Sequence, residues 1–194
     1  MFNVRGNLTR NRIITSTDDT SFSFFVHSSH HQMDALPSDY SLHHGYPPVD
    51  AYCTLRIIGN FTPTTEEQAS RALAGSWHGV YITHSPPSTL DNQSIPVDKA
   101  FNSPAGDIVG MGRIVGDNGW YFIIADIVVH PAHRRRGFGE VILQALLKEI
   151  QERAPKNAYV SLVADPPGVG LYKRNGFEDC VEAKGTRGMF LRTS

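Results

Sequence analysis

The sequence is poor in cysteine, in long apolar runs and in net charge. Its two cysteines, Cys53 and Cys180, cannot build a disulfide framework and are not spaced as zinc ligands, so we expect a reducing compartment, the cytoplasm. The apolar stretch from Tyr121 to Ala125 ends at Asp126, far short of the roughly 20 residues of a membrane span. The 18 basic and 19 acidic residues give a net charge of −1, which lacks the basic excess typical of nucleic-acid and membrane-surface binders.

The length of 194 residues fits one domain with a short extension, and such a core needs no disulfide or metal for stability. We expect residues 1–35 to form a poorly ordered N-terminal extension and residues 36–194 to form the folded domain. The extension carries early arginines and many Ser and Thr residues but lacks the apolar segment of a signal peptide. A transit peptide, or a start assigned upstream of the true one at Met33, is the alternative.

Apolar periodicity and turn residues predict alternating strands and helices. Strands over 107–115 and 120–129 flank a turn at 116–119, and an amphipathic helix follows over 137–153. Helix and strand compete over 49–58, and helix is favoured. Further strands are expected over 40–46, 77–83, 159–163, 177–181 and 189–191, and further helices over 62–73 and 168–174. The proline-rich residues 85–106 are too long for an ordinary connection and indicate a lid or an insertion.

The loop between the strand ending at Val129 and the following helix carries the chemistry. It reads HPAHRRRGFGE over 130–140. Glycines at a helix start let bare backbone approach a ligand, and the first-turn N–H groups have no acceptor within the helix. With three arginines beside them, these groups predict a site for a polyanion such as a pyrophosphate. A solvated arginine face with a plain glycine turn is the alternative. A Rossmann site fits poorly because Ile142 replaces the third glycine, and no Gly-Lys-Ser/Thr sequence supports a P-loop.

The motif Arg134-x-x-Gly137-x-Gly139, after a strand that ends with DIVVHP, resembles the acetyl-CoA-binding motif of the GNAT superfamily of N-acetyltransferases. Downstream, LYKRNGF over 171–177 resembles the second signature of that superfamily, and the intervening helix and strand also match. The resemblance implies an α/β (α+β) fold. Its mixed, mostly antiparallel central sheet would have about six to seven strands, flanked by about four helices and splayed at the cofactor site.

The resemblance also implies roles for individual residues, with acetyl-CoA as co-substrate and no metal. The strand backbone at Ile127, Val128 and Val129 would hold the acetyl group and the pantetheine arm. Asp165 stands where the family often has an Asn that touches pantetheine, and Tyr172 matches the Tyr that protonates the departing thiolate. The pyrophosphate would be bound by Arg134, Arg135, Arg136, Gly137, Phe138, Gly139 and Glu140.

The proton acceptor is the least defined part, because an alkylammonium must lose a proton before it attacks. The places where relatives carry a His or Glu base hold Ile123 and Ala125. Asp126 is the only ionisable group on that strand, but strand alternation turns it away from these positions unless a bulge re-aims it. Asp126 is therefore a candidate base or a structural hydrogen-bond acceptor, and transfer through water to His78 is another route. The candidate substrate contacts are Tyr46, Tyr52 and Arg187.

We therefore expect an N-acetyltransferase that transfers acetyl from acetyl-CoA to a primary amine, such as an arylalkylamine or a polyamine, by direct attack in a ternary complex. A non-catalytic acyl-CoA-binding module and an acetyltransferase acting on protein amino groups are the alternatives. The histidine pairs have no nearby Cys or carboxylate at ligand spacing, which predicts no metal site. We expect no nucleic-acid or membrane partner, and a monomer or homodimer.

Overall fold

The computed structural model describes residues 36–85, 102–103 and 106–185. The predicted extension over 1–35, most of the predicted 85–106 loop, Arg187 and the strand predicted over 189–191 lie outside the described residues. The described strands are β1 (Tyr40–His44), β2 (His78–His84), β3 (Asn102–Ser103), β4 (Gly106–Gly116), β5 (Tyr121–Val129) and β6 (Tyr159–Ser161). The described helices are α1 (Val49–Ile58), α2 (Glu66–Ala74), α3 (Phe138–Arg153), α4 (Val169–Arg174) and α5 (Cys180–Lys184).

The strands form one sheet in the order β1-β2-β4-β5-β6, with β3 paired to the first residues of β4. Every pairing is antiparallel except that of β5 with β6, which is parallel. The parallel connection runs through α3, as a crossover between parallel strands requires. This arrangement confirms the predicted mixed, mostly antiparallel α/β fold, and the six described strands lie within the predicted range.

Each face of the sheet buries its own apolar cluster. On one face, α3 contributes a stripe at helical spacing, Ile142, Leu146 and Ile150, against inward-facing residues of β2 and β5. On the other face, α1 and α2 contribute Tyr52, Leu55, Ala69 and Leu73 against Ile108, Met111 and Val128. The sheet is therefore the middle layer of three. No helix within the described segments is both long and apolar enough to cross a membrane.

Short polar side chains cap the starts of α2 and α5. The segment 49–58 is helical, which confirms the favoured alternative. The next helix begins at Glu66, later than predicted, because Thr65 and Gln68 form a reciprocal capping box with bonds of 3.1 Å and 2.9 Å. The strand predicted over 177–181 is wrong. Asp179 accepts from the backbone N–H of Val181 at 2.8 Å and starts α5 there.

Candidate active site

A β-bulge in the middle of β5 determines where Asp126 points. Gly110 pairs with Val129 and Met111 with Val128, but Arg113 pairs with Ala125, so both Asp126 and Ile127 lie opposite the single residue between them, Gly112. Asp126 adopts a left-handed backbone conformation with φ of 55°. A bulge inserts one residue and reverses the alternation beyond it. The Asp126 side chain is thereby directed to the α1 face, where it contacts Tyr52.

The second half of β5 has an open edge. Its pairing with β6 covers only Tyr121 to Ile123, and no pairing with β6 follows among the described residues. The N–H of His130 donates to the carbonyl oxygen of Val109 at 2.7 Å, so by strand alternation the N–H groups of Val129 and Ile127 point to the open side. The Val129 carbonyl, which points the same way, accepts from Arg134 Nε at 2.9 Å. The splayed edge thus presents backbone donors at Ile127 and Val129, two of the three residues expected to hold the acetyl group and the pantetheine arm, whereas Val128 pairs with Met111 of β4.

The loop before α3 is shaped so that its backbone faces solvent. Arg135 and Gly137 both have positive φ, 60° and 79°, and Gly137 is the N-cap of α3 with no side-chain capping bond. The first-turn N–H groups of α3 are therefore left for an external acceptor at the positive end of the helix dipole. Arg134, Arg135 and Arg136 are exposed around them. Arg136 also donates to the hydroxyl of Tyr40 at 3.1 Å, which holds that end of the loop against β1.

The two sequence motifs contact each other through Asn175. Its amide nitrogen donates to Glu140 Oε1 at 2.6 Å and to the Leu171 carbonyl at 2.8 Å, while its amide oxygen accepts from Gln144. A Cβ on Gly139 would lie 3.6 Å from Leu171, so α4 packs directly on the first turn of α3. We call this set of contacts the Asn175 clamp. The clamp therefore joins the first turns of α3 to the end of α4.

Tyr172 lies on α4, partly buried against the α3-side core and edge-on to Phe177. Burial, together with the negative charge of Asp165, raises the pKa of the Tyr172 phenol above its ordinary value of 10.0. Within the described residues its hydroxyl has no hydrogen-bond partner. Tyr172 therefore stays protonated at neutral pH, and its O–H group is available to donate a hydrogen bond or a proton.

Asp126 is the centre of a buried polar cluster between β5 and α1. Its carboxylate accepts from the Tyr52 hydroxyl at 2.6 Å, from Arg113 Nε at 2.6 Å and from Arg56. Burial alone would raise the pKa of this carboxyl, but the Tyr52 hydrogen bond and the charges of Arg113 and Arg56 outweigh burial and lower it. Asp126 is therefore ionised and fully engaged, which makes it a weak proton acceptor.

A narrow cleft opens beside this cluster. Its volume is about 10 Å³, roughly the room for one water molecule. Tyr46 is fixed in its wall, because its hydroxyl donates to the Ser76 carbonyl at 2.9 Å. The lining residues are Tyr46, Pro47, Tyr52, Leu73, Met111, Gly112, Arg113 and Asp126. The structure thus brings the two tyrosines predicted as substrate contacts together with Asp126.

Comparison with known proteins agrees with this geometry. Residues 98–179, which include both motifs, match the family model described as an acetyltransferase (GNAT) domain. A probable acetyltransferase of Staphylococcus aureus, SA2161, whose crystal structure is known, is 28% identical, with a TM-score of 0.63 over 79% of this chain and 99% of that chain. The match places a GNAT acetyltransferase domain over residues 98–179 of this chain.

Sequence relatives of this chain carry different names. The uncharacterized N-acetyltransferase ycf52 of Pyropia yezoensis is 32% identical over 52% of this chain and 56% of its own length. Histone acetyltransferase TAP1 of Glycine max is 30% identical over 43% of this chain and 32% of its own length. Serotonin N-acetyltransferase 2, chloroplastic, of Oryza sativa subsp. japonica is 28% identical over 48% of this chain and 44% of its own length. The chain therefore spans about half or less of these relatives.

The remaining candidate residues, Asp165 and His78, lie in different parts of the fold. Asp165 is exposed just after β6, at the start of a 3-10 turn, as the sequence order predicts. His78 lies on the α3 face with Glu149, on the side of the sheet away from the Asp126 cleft. The sequence reading missed Arg113 and Arg56, the partners of Asp126, and Tyr40, the partner of Arg136. Only the isolated arginine within the apolar β4 strand was a visible signal, because a buried arginine requires a carboxylate partner.

Proposed function

We propose that this protein is an acetyl-CoA-dependent N-acetyltransferase that acts on a primary amine by direct attack in a ternary complex. The observation that carries the proposal is the continuity of backbone donors from the open edge of β5 to the uncapped start of α3. The N–H groups of Ile127 and Val129 suit the acetyl carbonyl and the pantetheine amides. The backbone from Arg135 to Glu140, with the adjacent arginines, suits the pyrophosphate. Acetyl-CoA supplies the thioester carbon and the thiolate leaving group.

Tyr172 is the proposed proton donor to the leaving thiolate. A thiol with a pKa near 8.5 leaves more readily when a phenol protonates the sulfur. The raised pKa of Tyr172 keeps its proton in place at neutral pH, and the Asn175 clamp fixes α4 relative to the start of α3. Tyr172 therefore combines the protonation state and the anchoring that this role requires.

Asp126 acts in this proposal as a positioning residue. It holds the Tyr52 hydroxyl and the Arg113 guanidinium at the cleft, and its lowered pKa opposes proton uptake near neutral pH. Among the described lining residues it is the only carboxylate, and none is a histidine. We infer that the acceptor amine reaches the enzyme in its neutral form, so that solvent takes the proton before the amine attacks.

The cleft favours an arylalkylamine over a polyamine as acceptor. Tyr46, Tyr52, Leu73 and Met111 supply aromatic and apolar walls. Asp126 is already paired with two arginines, whose combined charge exceeds its own, so a second ammonium group would find no unpaired carboxylate among the described lining residues. Because the cleft is only about one water molecule in size, the aromatic body would lie at its mouth or open it.

The direct test measures CoA release from acetyl-CoA with a thiol reagent in the presence of different amines. Tryptamine, spermidine and a lysine-containing histone peptide represent the three acceptor classes. We expect tryptamine to stimulate release most, relative to a blank without amine. Preference for the histone peptide would instead support action on protein amino groups. If acetyl-CoA binds by calorimetry but no amine stimulates release, the chain is a binding module and the proposal is wrong.

A further inference from the structure

Two histidines and a glutamate meet on the α3 face of the sheet, outside the proposed acetyl-transfer site. His44 ends β1, His78 begins β2 and Glu149 comes from α3, so three separate elements contribute one residue each. Glu149 lies about 16 Å along the helix axis from Phe138, at 1.5 Å per residue, and is therefore remote from the phosphate loop. The spacing of histidines along the sequence gave no sign of this group, because the carboxylate is supplied by a distant helix.

We propose that His44, His78 and Glu149 form a binding site for a divalent transition-metal ion, with Zn²⁺ as the best match. His44 Nδ1 lies 3.1 Å from His78 Nε2 and 3.5 Å from Glu149 Oε1. In a tetrahedral zinc site with bonds of about 2.0–2.2 Å, ligand atoms stand about 3.3 Å apart. The two distances lie on either side of this value, and one ligand atom from each of the three residues lies within 4.8 Å of the others, which is close enough for one ion to be shared after side-chain adjustment.

The ligand types also match. Two imidazoles and one carboxylate leave a fourth position for water or a ligand, as in the zinc sites built from two histidines and a glutamate. His44 and Glu149 also line an open groove of about 420 Å³, which gives the ion a path from solvent.

A neighbouring group holds the glutamate, whereas the ring proton of the second histidine needs an acceptor. Arg153 donates to Glu149 Oε2 at 2.9 Å and lies over the Trp77 ring, which leaves Oε1 for the metal. When His78 coordinates through Nε2, its remaining proton must sit on Nδ1. Glu149 Oε2 lies 3.8 Å from that atom, beyond hydrogen-bond distance, so that proton needs a small shift of the side chains or a water molecule for its acceptor.

The positive charge of Arg153 also faces the site and opposes cation binding. Its guanidinium lies 3.4 Å from His78 Nδ1, a contact that is given up when Nδ1 carries the proton. The carboxylate of Glu149 balances this charge. Because soft and borderline metals gain from imidazole ligands and hard cations do not, we expect the site to take Zn²⁺ and to reject Mg²⁺.

The test uses the full chain, stripped with a chelator, in a calorimetric titration with ZnCl₂ and with MgCl₂ as a comparison. Substitution with Co²⁺ reports tetrahedral coordination by its visible absorption. The variants are His78→Ala and Glu149→Gln, of which the second keeps the side-chain shape and its acceptor for Arg153. The matched control is His43→Ala, because His43 neighbours His44 but bonds Thr83 at 2.8 Å and stacks on Tyr81.

We expect a Zn²⁺-binding event with a Co²⁺ absorption signature that His43→Ala retains and that weakens at least about tenfold in each ligand variant. Zn²⁺ should also raise the melting temperature of the wild type and of His43→Ala, but not of Glu149→Gln. Melting curves in chelator show which variants are folded before titration, and Glu149→Gln serves alone if His78→Ala does not fold. Absence of Zn²⁺ binding in the wild type, or undiminished binding in the folded ligand variants, overturns the proposal.

Discussion

Replacing Asp126 by asparagine should destabilise the protein strongly. The side chains of Asp126, Arg56 and Arg113 are only 10%, 13% and 16% exposed, so the substitution leaves two buried guanidinium groups without their anion. Removing one partner of a buried ion pair typically costs about 3–5 kcal/mol. A hydrogen bond to a charged group contributes about 1.5–3 kcal/mol, so the loss of two arginine contacts gives a destabilisation of the same size. We therefore expect Asp126→Asn to lower the free energy of unfolding by about 3–5 kcal/mol at pH 7.

Urea unfolding followed by circular dichroism measures this loss. With an m-value of about 2 kcal/mol per molar urea, the midpoint should fall by about 1.5–2.5 M. The matched control is Glu152→Gln, which breaks an exposed contact of 3.8 Å with Lys148 and should change stability by less than about 0.5 kcal/mol. The control distinguishes loss of a buried anion from loss of any negative charge.

The pH dependence of the stability difference between the wild type and Asp126→Asn gives a second check. Because the folded protein lowers the pKa of Asp126, its contribution is complete above the unfolded pKa of about 3.9 and is lost as the pH falls from there through the folded pKa. The gap between wild type and Asp126→Asn should be equal at pH 7 and pH 5.5 and should shrink towards pH 3. A gap below about 1 kcal/mol at pH 7, or one that persists unchanged at pH 3, would refute the reasoning.

Three further predictions concern the site and the capping of α2. Tyr172→Phe should reduce kcat about 100-fold with little change in acetyl-CoA affinity, and an unchanged kcat would remove Tyr172 as the acid. Gly137→Val should weaken acetyl-CoA binding in calorimetry about tenfold, because a branched residue resists φ of 79°, whereas Gly119→Val in the exposed turn should bind normally. Thr65→Ala should lower the unfolding free energy by about 1 kcal/mol in urea titrations, since it removes the hydroxyl that accepts from the backbone N–H of Gln68, and no change would contradict that assignment.

The proposal that the acceptor amine binds in its neutral form predicts how kcat/KM depends on pH. If the neutral amine is the species that binds, kcat/KM should rise about tenfold per pH unit up to the pKa of the amine near 10. Because burial raises the pKa of Tyr172 above its ordinary value of 10.0, loss of its proton should cause no fall in kcat/KM between pH 7 and about pH 9. A plateau that begins near pH 7, measured with tryptamine, would show instead that a group on the protein accepts the proton.

Local patterns in the sequence predicted most of the elements, because their signals lie within a few residues of each other. The hairpin of β4 and β5 and the helix α3 follow from alternation, turn residues and helical spacing. The strand predicted over 177–181 is wrong for a reason that is also local. Asp179 caps a helix there, and this outweighs the alternation of a short apolar stretch.

The bulge could not be placed from the sequence, because it depends on pairing with another strand. Strict alternation along β5 predicts that Asp126 lies on the same face as Phe122 and Ile124. A bulge would reverse this orientation, but the residues of β5 alone do not show whether a bulge is present. The register with β4, in which Gly112 faces two residues, supplies that bulge. The partners Arg113 and Arg56 come from β4 and α1, so neither was visible from the strand alone.

The Asn175 clamp has a consequence for product release. Because it ties α4 to the first turn of α3, the proposed acid and the proposed pyrophosphate site belong to one mechanical unit. Any movement of α4 during binding or release of CoA would therefore carry the start of α3 with it, so that Tyr172 and the phosphate loop keep their mutual distance.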